Sequence, residues 1–378
     1  MNILLRMKRS LFFICYIIIS AISAYSPRQV RASVNIAVIG SNAVYDYGSP
    51  EIKADLFGAR VSGKSEIIKD ISDRENIPAK NAEIKFFPDA KNVFSFEKES
   101  DGIEVDEEYL LDELNAALSI GGGAVSIRYK TVRPTVTENE LRTQTFERAR
   151  FTTYFANSSP ERINNVMLAA KSVSGSVVES GETFSFNRAV GERSKERGYK
   201  TAKIIKDGKF EDGLGGGVCQ VSTTLYNAAL LSGLEIAEYH PHSLAVSYVE
   251  NSFDAMVSFG SADLKIKNVT GGKIFIASYV YADKITFVIF GEKNPYEIER
   301  CSVTEKIVCA DEETIYSEDL LKGETNVKVK AKDGAVSKGY LIVKKGGKSY
   351  KKLLRSDSYG KVDGVIEKGV RENANSLA

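Results

Sequence analysis

A glycine run that leads straight into an apolar helix constrains the fold of this chain more than any other feature. Four of the five residues from Gly213 to Gly217 are glycine, and the apolar stretch from Gln220 to Leu231 follows almost directly. Glycine adopts positive φ angles and permits close approach of the backbone, so the run predicts a sharp turn with a helix beginning at its end. Cys219 therefore falls on the first residues of that helix.

A cysteine at the start of a helix is chemically favoured as a nucleophile. The positive end of the helix dipole favours the thiolate over the thiol, which lowers the pKa of the sulfur. Backbone N–H groups of the turn, here those of Gly216 and Gly217, can stabilise an oxyanion on an attacked carbonyl. The turn thus predicts a nucleophile, Cys219, beside an oxyanion-binding site. The alternative is that Cys219 is a small buried apolar residue and that the glycines form an ordinary turn.

A nucleophilic cysteine needs a base, and this chain offers only two histidines. His240 and His242 lie 21 and 23 residues after Cys219. Residues two apart on an extended segment share a face, so both imidazoles can face the sulfur. Asp254 or Asp263 can orient the imidazole as the third member of a triad, with a slight preference for Asp254. Exposed loop histidines, and aspartates that cap turns, are the alternatives.

The composition excludes several classes of function. The 51 basic and 50 acidic side chains give a formal net charge of +1, which offers no reason to expect nucleic acid as a partner. Four cysteines and two histidines are too few for a multi-cysteine zinc or iron–sulfur module. A histidine pair alone supplies two ligands, so we expect no metal, and no other cofactor is required.

The N-terminus predicts export from the cytoplasm. Three basic residues at 6–9 precede an apolar run of about 14 residues at 11–24, shorter than the roughly 20 residues of a spanning helix. Residues 1–32 are therefore predicted to be a signal peptide cleaved after Ala24 or Ala32, or an uncleaved N-terminal anchor. In either case the rest of the chain lies outside the cytoplasm of a bacterium, secreted or associated with the cell wall or membrane. Only the anchor would touch the membrane.

Export leaves an odd number of cysteines outside the membrane. Cys15 lies in the predicted signal, and Cys219, Cys301 and Cys309 follow it. Cys301 and Cys309 are close enough in sequence to close a small loop as a disulfide. That pairing would leave Cys219 as the free thiol, and an exported protein that keeps an oxidisable thiol needs a reason for it.

Hydrophobic patterning divides the exported chain into three regions and predicts a multidomain α+β fold. Residues 33–145 mix helix and strand patterns, residues 146–291 are richer in strands and contain the glycine run, and residues 292–378 are mostly strand-like. Between Leu321 and Arg355 there are ten lysines and one arginine against two acids. This charge indicates either a solvated sheet face or a patch that attracts an anionic polymer of the cell wall.

Individual elements follow from local signals. Asp106 and the tripeptide at 159–161, Ser-Pro-Glu, are typical helix starts. The segment from Asp70 to Lys91 is polar and yields no assignment. Strands are predicted at Val34–Ile39, Ala124–Tyr129, Leu244–Val249, Ile274–Tyr281 and Ile285–Phe290.

Several separated motifs in the central region together resemble the VanW family, over about residues 150–291. The motifs are GETFSFN at 181–187, VGER at 190–193, Gly198-Tyr199, GGGVCQVSTTLYNAAL at 215–230, His242-Ser243, Tyr248-Val249 and Asp254-Ala255, with Arg162 and Asn164 upstream. The family is named for its association with vancomycin-resistance clusters, and some members are known as L,D-transpeptidases of the cell wall.

The resemblance implies a cysteine-dependent L,D-transpeptidase that joins the third residues of two peptidoglycan stem peptides through a thioester acyl-enzyme. The family's catalytic cysteine maps onto Cys219, and His242 or His240 would serve it as base. The implied partners are stem peptides and glycan, without a cofactor. The region 33–145 resembles the peptidoglycan-binding domain that often precedes a VanW domain, and 292–378 resembles the G-five type of surface domain that often follows it.

Two other classes of function stay open. The protein can be a non-catalytic wall-binding or resistance-accessory protein whose cysteine is vestigial. It can also be a cysteine peptidase or carboxypeptidase that acts on stem peptides with water as the acceptor.

Five further residues near the nucleophile are predicted to bind substrate. Ser222, Thr223 and Tyr226 follow the cysteine on the predicted helix and can position the peptide, although Tyr226 suits the core equally well. Arg162 or Arg193 can hold a substrate carboxylate through the forked geometry of a guanidinium. A structural salt bridge is the alternative role for each arginine.

Overall fold

The computed structural model describes residues 36–48, 54–55, 58–59, 66–206 and 208–372. The predicted signal peptide or anchor at 1–32 lies outside these residues. The chain divides into two units. The first comprises the residues up to Ala82 together with Lys98–Thr137, and the second comprises Glu83–Glu97 together with the residues from Glu138 onward. None of the described helices is long and apolar enough to cross a membrane.

Strands predominate over helices in the described residues. In chain order the elements up to residue 142 are β1 (Ile36–Ile39), β2 (Val44–Tyr47), β3 (Ala54–Asp55), β4 (Gly58–Ala59), α1 (Glu66–Glu75), β5 (Glu83–Phe86), β6 (Phe94–Glu97), β7 (Gly102–Val105), α2 (Glu107–Ser119), β8 (Gly123–Ser126), β9 (Tyr129–Val132) and α3 (Glu138–Arg142). The elements that follow are β10 (Phe146–Tyr154), α4 (Pro160–Val173), β11 (Ser176–Val178), β12 (Thr183–Ser185), α5 (Phe186–Val190), β13 (Thr201–Lys206), β14 (Lys209–Leu214), α6 (Val218–Leu231), β15 (Glu235–Glu238), β16 (Lys265–Lys267), β17 (Ile274–Tyr281), β18 (Lys284–Gly291), β19 (Glu297–Val308), β20 (Glu312–Leu321), β21 (Thr325–Val329), β22 (Gly334–Lys345), β23 (Lys348–Tyr359) and β24 (Gly364–Arg371). The predicted α+β class is confirmed in this broad sense.

The first unit is built around a small sheet and two helices. Strand β1 pairs in antiparallel fashion with β2 and in parallel with β8. Ile71 of α1 and Leu110 and Leu114 of α2 are fully buried in its apolar core. The side chain of Asp106 accepts a hydrogen bond from the N–H of Tyr109 at 3.3 Å and so caps α2, which confirms the predicted helix start.

The second unit is built around a four-stranded antiparallel sheet with the order β10-β18-β17-β11. Helices α4 and α6 pack against it. The Ser159 side chain accepts from the N–H of Arg162 at 3.3 Å and Pro160 occupies the first turn, so the predicted start of α4 is confirmed. Helix α6 also contacts β15 and β19, and it is buried on every side because sheets and helix α4 surround it.

Smaller sheets complete the second unit. Strands β12, β16 and β15 form a three-stranded antiparallel sheet, and β13 and β14 form a hairpin. The C-terminal residues form two sheets of three strands, with the orders β19-β22-β23 and β20-β24-β21. The predicted central region, 146–291, and the predicted C-terminal region, 292–378, both fall within this unit.

The hairpin of β5 and β6 belongs to the second unit although its sequence lies inside the predicted first region, 33–145. Phe86 and Phe94 of the hairpin pack on Phe275, with ring centroids 5.2 and 5.1 Å away. Phe94 also meets Phe290 edge-on at 5.3 Å. The hairpin groups with the second unit because its aromatic face is buried there.

Strand predictions succeeded where two strands pair along their whole length. The segment Ile274–Tyr281 is β17, and Ile285–Phe290 lies inside β18. The described part of Val34–Ile39 is β1, whereas the unassigned segment from Asp70 to Lys91 holds the end of α1 and all of β5.

Two strand predictions fail because apolar alternation there does not mark one continuous strand. The segment Ala124–Tyr129 is divided between β8, which pairs with β1, and β9, which pairs with β7. The segment Leu244–Val249 is irregular, and only Leu244 makes a single bridge, to Gly360. Residues 245–248 instead line the cavity described below, while Leu244 is buried and Val249 packs on the core.

The sequence left open whether Cys301 and Cys309 form a disulfide. In the described residues both thiols are free. Cys301 lies in the extended strand β19 and Cys309 follows its end. Eight residues of strand at about 3.3 Å each place the two Cα atoms roughly 25 Å apart. A disulfide requires about 7 Å or less.

Gly217 provides a stability test of the turn before α6. It has a φ of +108°, and a Cβ atom there would lie 3.0 Å from side-chain carbons of Arg162 and Val166. We expect Gly217→Ala to lower the free energy of unfolding by about 2–3 kcal/mol, from backbone strain plus crowding. Gly181→Ala is the matched control, because Gly181 has a φ of +79° and open space around it. Urea denaturation of both variants should show a loss of only about 1 kcal/mol for the control; equal losses would contradict the crowding argument.

Candidate active site

The first turn of α6 presents Cys219. Gly217 precedes the helix in a left-handed conformation, and a Cβ atom at Gly216 would lie 2.6 Å from the carbonyl oxygen of Lys203. The glycine run therefore forms the turn that the sequence predicts. Within the described part of the chain, the N–H groups of Gly216, Gly217 and Cys219 have no hydrogen-bond partner. These groups are free to bind an oxyanion, and that predicted role stays a prediction.

His242 is buried next to the sulfur and is fixed by Asp254. Its Nδ1 atom lies 2.7 Å from Oδ2 of Asp254, and its backbone N–H donates to the same oxygen at 2.7 Å. The imidazole and the thiol of Cys219 line the same cavity and interact electrostatically. The Cys219 sulfur is also 3.5 Å from the carbonyl oxygen of Val257. Cysteine, histidine and aspartate thus form one chain of contacts.

The pKa values of Cys219, His242 and Asp254 are shifted toward the charged form of each group. Burial by itself would raise the pKa of Cys219, but the interaction with His242 outweighs it and the pKa of the thiol is lowered. Burial alone would lower the pKa of His242, yet Asp254 and Cys219 raise it to about 9. The pKa of Asp254 falls to about 2 because His242 and other donors stabilise its carboxylate against burial. These shifts favour the thiolate, the imidazolium and the carboxylate over their uncharged forms.

The sequence left open which histidine serves Cys219 and which aspartate orients that histidine, and the structure distinguishes the candidates. His240 Nε2 lies 3.0 Å from a carboxylate oxygen of Glu238, and this ring does not line the cavity around Cys219. Asp263 accepts from the hydroxyl of Ser185 at 2.5 Å and from backbone N–H groups, so it acts as a cap for α5. His242 and Asp254 are the pair that lies beside the sulfur. The described residues contain no group of three or more histidine, cysteine or acidic side chains arranged to hold a metal ion.

Ser222, Thr223 and Tyr226 do not line the cavity, which corrects their predicted role in substrate binding. All three are fully buried. The Ser222 hydroxyl donates to the carbonyl oxygen of Ala255 at 2.6 Å, and Thr223 accepts from the N–H of the same residue at 2.9 Å. These hydroxyls hold the segment that carries Asp254 against α6. A helix that is buried on every side leaves no open face beyond its first turn, which is why the prediction failed.

Both predicted arginines line a cavity of about 790 Å³ that opens at Cys219. One Arg162 nitrogen donates to Oε1 of Gln220 at 2.8 Å. Arg193 donates from Nη2 to Asn187 at 2.8 Å, but its buried Nη1 has no hydrogen-bond partner in the described structure. A buried cationic nitrogen without a partner is costly, so this atom is a candidate anchor for an anionic group of a ligand.

Four residues that lie at or beside the site were not predicted as site residues from the sequence. Gln220 donates to the carbonyl oxygen of Tyr154 at 2.9 Å and accepts from Arg162. The sequence signal for this residue was a polar side chain inside an apolar helix. Tyr248 lies on the cavity wall, where burial and the nearby thiolate raise its pKa. Arg355 and Tyr359 contact Asp254 from about 100 residues away, for which no local pattern exists.

The fold and the site define a protein with a cysteine, histidine and aspartate constellation at the start of a buried helix. Residues 161–290, which hold all three, match the family described as "VanW like protein". The chain is 40% identical over 140 residues to "Uncharacterized protein YoaR" of Bacillus subtilis, covering 37% of this chain and 46% of that protein. It is 33% identical over 150 residues to "Vancomycin B-type resistance protein VanW" of Enterococcus faecalis, covering 38% of this chain and 54% of that protein. The chain thus spans about half the length of these relatives.

Two solved structures are similar to a smaller part of the chain. The "IgA1 Protease G5 domain structure" is 20% identical and covers 21% of this chain and 95% of that one, with a TM-score of 0.15. The "Crystal structure of HP0197-G5" is 21% identical and covers 20% of this chain and 97% of that one, with a TM-score of 0.13. These scores are too low to assign a fold, so the G-five type for 292–378 stays a prediction.

The pH dependence of Cys219 alkylation tests the electrostatics of the site. The reactive form is the thiolate, and His242 holds the pKa of the thiol below its ordinary value. Iodoacetamide should therefore modify Cys219 faster at pH 7 than an ordinary thiol, and the fall of its rate on acidification should lie at lower pH than for such a thiol. In His242→Gln burial dominates, so the pKa should rise and the rate at pH 7 should drop about tenfold or more.

His240→Gln is the matched control for that measurement, since it removes the only other histidine. Its profile should superimpose on that of the wild type. Mass spectrometry of the peptide that contains Cys219 separates its modification from that of Cys301 and Cys309. A profile that responds to the His240 substitution and ignores the His242 substitution would reverse the assignment.

Proposed function

We propose that this protein is a cysteine-dependent L,D-transpeptidase that cross-links peptidoglycan stem peptides outside the cytoplasm of a bacterium. The observation that carries the proposal is the contact chain from Cys219 through His242 to Asp254 at the edge of a cavity with an unpartnered guanidinium nitrogen. A relative named for vancomycin resistance supports a role at the cell wall.

The first step transfers the donor stem peptide to the enzyme. The thiolate of Cys219 attacks the carbonyl carbon of the third residue, and the oxyanion is held by N–H groups of the turn before α6. The bond to the terminal D-alanine then breaks. The imidazolium of His242 gives its proton to the leaving amine, so that free D-alanine and a thioester are formed.

The second step transfers the peptide to an acceptor. The side-chain amine of the third residue in a neighbouring stem attacks the thioester carbonyl. His242 takes the proton of that amine, the carbon–sulfur bond breaks, and the thiolate is restored. The product is an amide between two third-position residues. No step needs a cofactor.

Recognition of the donor uses its negative charge. The terminal D-alanine carries a carboxylate, and the free Nη1 of Arg193 on the cavity wall supports its recognition there. The guanidinium of Arg162 lies on the same wall. The lysine-rich C-terminal sheets and the N-terminal unit would hold the protein on glycan and anionic wall polymers.

Product analysis tests the proposal. The full chain incubated with the disaccharide tetrapeptide should give a cross-linked dimer and free D-alanine, both detected by mass spectrometry. Cys219→Ala should abolish the dimer, His242→Gln should reduce it at least about 100-fold, and Cys301→Ala should leave it unchanged. A tripeptide monomer alone would replace transpeptidation by hydrolysis. No product, together with sedimentation of the protein with wall sacculi, would identify a binding module.

The carboxylate anchor gives a separate prediction. Arg193→Gln should raise KM about 10–100-fold for a tetrapeptide donor with a free terminal carboxylate, which is the loss of one charge-assisted hydrogen bond. For the same donor with an amidated terminus, wild type and variant should have similar KM values. Arg188→Gln is the control, since Arg188 is exposed and bonds the carbonyl oxygen of Thr183 outside the cavity. Equal effects of Arg193→Gln on both donors would remove this arginine from carboxylate recognition.

A further inference from the structure

The carboxylate of Asp254 has a second set of partners, which lie outside the VanW-like segment. Its Oδ1 atom accepts from Nη2 of Arg355 at 2.6 Å and from the hydroxyl of Tyr359 at 2.6 Å. Arg355 also donates from Nη1 to the backbone oxygen of Asp254 at 2.7 Å. Both partners belong to strand β23 in the C-terminal part of the chain. One residue of the site is therefore held by its side chain and its backbone from a distant strand.

The two oxygens of this carboxylate have separate tasks. Oδ2 faces only the imidazole and the backbone N–H of His242, while Oδ1 faces only Arg355 and Tyr359 in the described structure. Rotation of the carboxylate would break contacts on both sides. The C-terminal donors therefore fix the orientation of the oxygen that orients the imidazole.

Arg355 offsets negative charge that is buried around Asp254. Asp254 and Arg355 are each 1% exposed, and the guanidinium also donates to Asp357 at 2.7 Å. The buried group thus holds the carboxylates of Asp254 and Asp357, and the guanidinium of Arg355 lies against both. A buried charge without its partner is strongly unfavourable.

The other groups that face the guanidinium are aromatic. The rings of Tyr239 and Tyr226 lie 4.8 and 5.8 Å from its central carbon. Tyr359 accepts from the N–H of Ser252 at 2.7 Å while it donates to Asp254, so its hydroxyl is fixed as well. Among the described residues, the titratable groups around Arg355 and Asp254 are therefore Asp357, His242 with Cys219 beyond it, and four tyrosines, Tyr226, Tyr239, Tyr248 and Tyr359.

We propose that Arg355 and Tyr359 are positioning residues of the active site, so that a C-terminal strand supplies part of the catalytic machinery. This inference rests on the proposed function for its catalytic consequence, although its effect on the thiol does not. Neither residue lines the cavity in the described structure, so neither is placed to touch substrate. Loss of the guanidinium would free the carboxylate, weaken its hold on His242 and so reduce the thiolate of Cys219.

The test compares Arg355→Met and Arg355→Lys in the full chain. Alkylation of Cys219 by iodoacetamide should be about tenfold slower at pH 7 in the methionine variant, with its acid limb moved to higher pH. The lysine variant keeps the positive charge but lacks the forked guanidinium, so it should recover part of the alkylation rate. In the cross-linking assay kcat should fall about 10–100-fold while KM changes less than about twofold.

Arg300→Met is the matched control. Arg300 lies in β19 of the same C-terminal sheet and donates to Asn227 of α6 at 2.7 Å and to Glu250 at 3.0 Å, but it does not bond Asp254. It therefore reports loosened packing of this sheet against α6 without the loss of a direct bond to Asp254. Its alkylation profile should match that of the wild type.

Several outcomes would overturn the inference. A folded Arg355→Met variant with the wild-type profile would reduce Arg355 to a structural residue, and an equal shift in Arg300→Met would assign the effect to packing. If Arg355→Met does not fold, Tyr359→Phe decides, because it removes one oxygen and should shift the profile in the same direction by a smaller amount. A shifted profile in a protein that forms no cross-links would support the positioning role and reject the transpeptidase.

Discussion

Burial of helix α6 on every side is the constraint on which the rest of the second unit depends. A helix in this position must satisfy each of its polar side chains inside the protein. Thr223 and Asn227 bond backbone groups of the segment 253–255, and Gln220 joins the helix to α4 and β10. The polar residues of the helix thus fix the segments that surround it. Only the first turn remains open, and that is where Cys219 meets the cavity.

The same constraint explains how charge is tolerated beside the helix. Asp254 is brought against α6 by the segment that Ser222 and Thr223 hold. Its carboxylate then needs donors on both oxygens, because no solvent reaches it. His242 supplies one side and strand β23 the other. The reactive centre and the C-terminal sheet are consequently linked through the carboxylate of Asp254.

Local signals were sufficient for much of the fold and for the centre of the site. The glycine run predicted the turn and the helix at Cys219 because only glycine fits a left-handed residue at 217 and the crowded backbone at 216. Asp106 and Ser159 predicted their helices through caps that are local by nature. The sequence narrowed the base to His240 or His242 and its orienting group to Asp254 or Asp263, but it did not decide between them. That choice depends on how a segment without regular structure returns to the helix.

What the sequence could not show depends on long-range contacts. Arg355 reaches Asp254 across 101 positions, and nothing near either residue indicates the other. Ser222 and Thr223 stand next to the cysteine in sequence, yet the helix turns them into the core, so proximity along the chain was misleading. The failed strand at Leu244–Val249 has a similar cause, because residues 245–248 line a cavity and pair with no strand among the described residues.

The aromatic hairpin β5–β6 has a consequence for the order in which the molecule can assemble. Phe86 and Phe94 find their burial against Phe275 and Phe290, about 180 residues later in the chain. During synthesis or transport the aromatic rings of the hairpin therefore stay exposed until strands β17 and β18 are available to cover them. A chain stalled before that point would present a sticky aromatic surface, which is the kind of intermediate that chaperones shield.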